Sequence, residues 1–223
     1  MGLRMSDGPR FGEQPLPQTV AAAASMRRLT SLLLSLEHDH PTVETMLTRF
    51  AEWEAELSPD VPRDPTPRLC ADPDGAHRVY LQHALDIGSF NPCFPTYEFD
   101  RLEPDSAAGR VTFPVAYEGP PGSVHGGFLG VFFDCIVQHH NCVTAPSGMT
   151  RTMTVSYRRQ VPLLTELRFD VTRAEVERRV TSTARLLRDD ELLCVGEVDA
   201  VVIPPERLTG FDFGPRRTTA ETS

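Results

Sequence analysis

The run Gly119-Pro120-Pro121-Gly122-Ser123-Val124-His125-Gly126-Gly127, which leads directly into Phe128-Leu129-Gly130-Val131-Phe132-Phe133-Asp134-Cys135-Ile136-Val137, constrains this chain more than any other stretch. Residues 128–137 are apolar on every side of a helix, and a helix without a polar face has to be wrapped by other structure. Asp134, the one charge in that stretch, then sits in a packed, partly dry place or at an interface, where a carboxylate needs a partner or a task. The glycine-rich entry leaves backbone N–H groups at the positive end of the helix, a setting that favours negative charge and suits an oxyanion. Asp134 lies eight residues after Gly126, which is about 12 Å along a helix axis. A reacting carbonyl needs contacts of roughly 3 Å and cannot touch both groups of one helix. Both can act on one carbon only if two such helices lie side by side and antiparallel, the acid of one against the amides of the other.

The remaining pattern supplies the wrapping. Val79 to Leu85, Glu98 to Leu102 and Arg110 to Ala116 read as short strands separated by Pro, Gly and Asp. Beyond the helix, Met149 to Arg159 alternates, with Met153, Val155 and Tyr157 on one face and Thr150, Thr152, Thr154 and Ser156 on the other. Leu167, Phe169 and Val171 continue the alternation, and the shift of phase to Ala174 and Val176 predicts a bulge near Thr172-Arg173. Thr181 to Arg188 and Leu192 to Ile203 flank Asp189-Asp190 as a hairpin. The expected architecture is α+β, an antiparallel sheet wrapped around one central helix. Because the chain has one such helix, the two-helix site requires a second copy.

Ahead of this core, residues 1–18 read as disordered, and Thr19 to Glu37 as a helix stopped by Asp39-His40-Pro41-Thr42. A second helix extends to Leu57 with Met46, Phe50 and Trp53 on one stripe, and Ser58 to Gly75 reads as a proline-rich linker. The domain division expected is an N-terminal extension over 1–76, a core over 77–207 and a flexible tail over 208–223. Two short amphipathic helices cannot make a core alone, so they are expected to pack on the core surface or on a partner subunit.

Inventory excludes several chemistries. All 22 basic residues are Arg, so Schiff-base catalysis, a lysine-anchored pyridoxal phosphate and a P-loop lysine are ruled out. A net charge of -9 opposes broad nucleic-acid or anionic-membrane surfaces. Five cysteines at irregular spacing fit a reduced, cytoplasmic compartment, and no apolar run approaches the ~20 residues of a membrane span. Cys135, His139, His140 and Cys142 place possible zinc ligands close together. Consecutive histidines point about 100° apart on a helix, however, and no metal site is predicted.

The turn Gly119 to Gly127, followed by Asp134, resembles the signature of hotdog-fold acyl-CoA thioesterases, in the branch of phenylacetyl-CoA-type and mammalian thioesterase-superfamily-member proteins. Thr150 to Leu163, ending Tyr157-Arg158-Arg159-Gln160-Val161-Pro162-Leu163, resembles the strand after the central helix in that family, and Asn91-Pro92 also fits. The likeness spans about residues 85–203. It implies metal-free hydrolysis of an acyl-CoA, with coenzyme A entering only as part of the substrate, by a homodimer or a tetramer built from it. It also implies that Asp134 is nucleophile or general base, that the Gly126 amide polarises the thioester carbonyl, that His125 orients the turn or leaving group, and that Thr150 positions the acid or a water. Gly127 and the acyl-pocket candidates Phe128, Phe132 and Phe133 would contact substrate, and Arg158 and Arg159 would meet coenzyme A phosphates. Plainer readings stand beside these: His125 as a turn cap, Thr150 as ordinary strand chemistry, the arginines as solvated charges and the phenylalanines as core. Two other functions use the same fold, a non-catalytic acyl-CoA or ligand binder and an enoyl-CoA hydratase or dehydratase. The second normally needs Asp and His a few residues apart, whereas His125 precedes Asp134 by nine.

Overall fold

The structure, a computed structural model, describes residues 13–61, 79–80, 86–144 and 148–202. In chain order its elements are β1 (Glu13–Gln14), α1 (Pro17–Leu34), α2 (Pro41–Leu57), β2 (Val79–Tyr80), β3 (Tyr97–Leu102), β4 (Ser106–Thr112), α3 (Gly126–Thr144), β5 (Gly148–Tyr157), β6 (Glu166–Val176), β7 (Arg179–Arg188) and β8 (Glu191–Val202). β1 and β2 form a small separate pair, and the other strands make one antiparallel sheet of order β3-β4-β6-β7-β8-β5. The chain is thus α+β, a hotdog fold in which the sheet wraps α3 and two helices extend from its N-terminal side.

The helix that is apolar all round is the core. Phe132, Phe133, Ile136 and Val137 are fully buried against Phe113, Leu167, Phe169 and Leu186. Each such side chain contributes about 1.5–3 kcal/mol on burial. Phe132 meets Phe113 and Phe169 edge-on at ring separations of 5.3 and 5.6 Å. A Cβ at Gly196 would lie 2.5 Å from Phe133 Cγ, so β8 carries glycine where the helix presses on the sheet. The opposite sheet face is solvated by cross-strand ion pairs, Arg110 with Asp100, Arg179 with Asp199 and Arg185 with Asp170. Individually such pairs contribute little, but together they make that face polar. No helix among the described residues is long and apolar enough to cross a membrane.

Several expectations shift. The second core strand is Ser106–Thr112, not Arg110 to Ala116, because Pro114 and a 3-10 turn over Val115–Tyr117 end it. No bulge interrupts β6 at Thr172-Arg173, since β6 and β7 pair in unbroken register from Arg168 to Val176. Arg173 instead keeps the inward phase, its side chain 8% exposed, donating to Asn141 Oδ1 at 3.0 Å and pairing with Glu175. An apparent change of hydrophobic phase was therefore a buried arginine. α1 starts at Pro17, inside the stretch expected to be disordered, and Glu13–Gln14 already pairs with Val79–Tyr80. His40 caps α2, its Nδ1 accepting the Thr42 N–H at 3.1 Å. Residues 1–12, most of the linker, 81–85 of the first expected strand and the tail after 202 lie outside the described residues.

Candidate active site

Gly126, Gly130, Asp134 and Gln138 recur every four residues and so share one stripe of α3. That stripe faces β5. The Tyr157 hydroxyl donates to the Gly126 carbonyl at 3.0 Å, Met153 Cε lies 3.6 Å from where a Cβ on Gly130 would be, and Thr150 Oγ1 donates to Asp134 Oδ1 at 3.1 Å. In a regular strand Thr150 and Met153 would point to opposite sides. Pairing with β8 slips between Thr150, opposite Ala200, and Thr152, opposite Asp199, which makes Arg151 an extra residue. The bulge turns Thr150 onto the face of Met153 and Tyr157. This corrects the face assignment read from simple alternation and places the hydroxyl on the acid.

A third side chain completes the arrangement. Gln138, buried and one turn after Asp134, donates from Nε2 to Thr150 Oγ1 at 2.7 Å. With its lone pair occupied by the amide, the threonine hydroxyl directs its single proton to the carboxylate. Burial pushes the Asp134 carboxyl above its usual range, and the Thr150 hydrogen bond opposes this with a smaller effect. Sequence reasoning passed over Gln138, although a polar residue four positions after the acid on an apolar helix was the available signal. If ionised Asp134 drives the chemistry, rate falls as pH drops through its folded pKa. Thr150→Val removes the opposing bond and is expected to move the acidic limb of a pH–rate profile upward. Gln138→Leu should move it the same way by less, and an unchanged limb in both would contradict this coupling.

The turn before α3 is fixed by its histidine. His125 N–H donates to the Tyr117 carbonyl at 2.9 Å, its Nδ1 accepts the Gly127 N–H at 3.0 Å, and its carbonyl accepts from Phe128 and Leu129. Acceptance at Nδ1 puts the proton of the neutral ring on Nε2. A Cβ at Gly119 would lie 2.7 Å from His125 Cα, so the turn closes only over glycine. The Gly127 amide is thereby occupied. Among the described residues no hydrogen-bond acceptor engages the Gly126 N–H, which leaves it as the open donor of the first turn. Gly126, Leu129, Tyr157, Arg158 and Arg159 line one groove of ≈ 390 Å³, so both arginines stand beside that donor. Arg159 pairs with Glu191 at 3.3 Å, whereas the Arg158 guanidinium has no partner among the described residues.

The aromatic candidates separate. Phe128 is half-buried and stacks edge-on against Tyr117 at 4.9 Å, while Phe132 and Phe133 are sealed in the core and present no surface in a single subunit. His139 Nδ1 lies 3.1 Å from the Tyr97 hydroxyl, and burial pushes its pKa down to about 4. His140 Nε2 lies 2.6 Å from the Glu103 carbonyl oxygen, and burial holds the Cys135 thiol up at about 12. Among the described residues no three His, Cys, Asp or Glu side chains converge as a metal site.

No family model matches the sequence, and no curated protein does. Solved structures do match. A thioesterase superfamily protein is 21% identical with a TM-score of 0.65, the alignment covering 87% of this chain and 98% of that one. Thioesterase superfamily member 2 from Mus musculus is 13% identical with a TM-score of 0.44, over 47% of this chain and 80% of its own. A hypothetical thioesterase from Streptococcus pneumoniae TIGR4, solved with coenzyme A, is 15% identical with a TM-score of 0.45, over 48% and 88%. The first of these covers most of this chain, which has the hotdog fold of that thioesterase superfamily protein.

Proposed function

We propose that this chain is an acyl-CoA thioester hydrolase whose reaction centre is shared between two copies. The observation that carries the reading is the orientation of Asp134. Its carboxylate is held by Thr150, itself fixed by Gln138, on the helix stripe beside β5, the edge strand of the sheet, and two turns away from the open Gly126 amide. The 10-residue β5 has no second neighbour among the described strands, and Met149, Met153 and Tyr157 on it are exposed. A long unpaired edge with apolar side chains calls for a partner. A second copy set antiparallel brings its Gly126 amide to this Asp134.

In that arrangement the Gly126 N–H receives the thioester oxygen as negative charge develops on it. Asp134 either takes a proton from the water that bonds to the carbonyl carbon, or attacks that carbon itself to give an anhydride that water then opens. The C–S bond breaks, and the departing thiolate takes up a proton to leave as coenzyme A. Arg159 suits its phosphates. A panel of acyl-CoAs with a thiol reagent tests the reading. Thiol release by wild type well above that of Asp134→Ala is expected, and equal rates on every substrate would remove the assignment. Binding without turnover would point to a ligand-binding protein.

A further inference from the structure

The N-terminal hairpin ends in a helix that buries none of its side chains fully. α1 is anchored through buried Ala23 and through Arg27, which donates to the Asn91 carbonyl at 3.1 Å. It packs beside the Val115–Tyr117 turn, whose Tyr117 carbonyl holds His125. α2 buries no residue. Its stripe lies open beyond half-buried Met46, with Phe50 42%, Trp53 51% and Leu57 65% exposed. Three and four residue spacings put Glu54 inside that stripe, between Phe50 and Leu57. Its carboxylate has no partner among the described residues, unlike Glu52, which pairs with Arg49 at 2.6 Å. An apolar face with an acid in it fits an apolar surface that carries one unpaired cation.

This molecule has such a surface. Outside the two helices, the exposed large apolar residues include Met153 and Tyr157 on one face of β5. Arg158, next to Tyr157, is the one described arginine whose guanidinium has no hydrogen-bond or ion-pair partner among the described residues. The sheet's outer face is excluded as a target because its arginines and carboxylates already pair with each other. We propose that α2 is a docking arm for a second copy of this chain, laying Phe50, Trp53 and Leu57 beside the partner's Tyr157 and setting Glu54 against the partner's Arg158. The inference rests on the paired-subunit reading above and extends it, since the arm then roofs the groove that holds Gly126.

Trp53 is the only tryptophan in the chain, so its fluorescence reports directly on the arm. In wild type, acrylamide quenching of Trp53 is expected to be several-fold weaker than in Glu54→Arg or Arg158→Glu, each of which sets like charges together. Mixing those two single variants should restore the shielding, because each arm then meets its complement on the other chain. Sedimentation of the same samples gives the mass. Freely quenched Trp53 in a protein that sediments as a pair overturns the arm and leaves the shared site standing. Failure of the mixture to regain shielding overturns docking in trans. A lone subunit, with Trp53 shielded or not, overturns both.

Discussion

Asp134→Asn is expected to lower thioester hydrolysis by about 100- to 10,000-fold, the range for removing a positioned base. The amide has the shape of the carboxylate and still accepts the Thr150 hydrogen bond through its oxygen, so the loss would be chemical and not architectural. Stability should move the other way. Burial raises the folded pKa of Asp134, so between the unfolded value of about 3.9 and that raised value the folded protein binds more protons than the unfolded chain. Stability therefore falls as pH rises through that window, and above it the cost is fully present. Asparagine cannot ionise and removes it. Thermal unfolding at neutral pH is expected to show Tm equal to or above wild type, growing relative to wild type from acid to neutral pH. A variant that lost activity and Tm together would mean that the carboxylate is structural.

Gly126→Pro should have the next largest effect, about 100- to 1,000-fold, because it deletes one backbone donor from an oxyanion site. Proline is well suited to the first position of a helix, where its missing N–H is not needed for helix hydrogen bonds. Gly126 does not use a left-handed backbone. Gly126→Ala is the control: it keeps the N–H, and its Cβ would come 3.1 Å from the Tyr157 hydroxyl, a side-chain tip that can give way. The expected result is a severe loss with proline and a mild one with alanine. Equal losses would show that bulk beside Tyr157, and not the amide, is what the site cannot tolerate.

The central helix and most strands were legible because their signals are local. An apolar run of ten residues behind a glycine turn leaves few alternatives, and the β7–β8 hairpin follows from the Asp189-Asp190 break, where Asp189 adopts a φ of 55°. Alternation failed where tertiary contacts decide the phase. Arg173 sits inward because Asn141 and Glu175 satisfy it, and Thr150 turns onto the helix because Arg151 is extruded. Gln138 was signalled by its place four residues after the acid on an apolar helix, but its bond to Thr150 follows only from the bulge that turns Thr150 onto α3. His125 caps its own turn, one of the two roles that the sequence left level.

Subunit complementation tests the central claim most directly. Asp134→Asn and Gly126→Pro chains, each inactive alone, are unfolded together, refolded and assayed. In a hybrid pair one site combines the intact acid of one chain with the intact amide of the other, while its twin carries both lesions. An equal mixture should recover about a quarter of wild-type activity, since half the pairs are hybrids with one working site each. A mixture no more active than its separate components would contradict a reaction centre built across two copies.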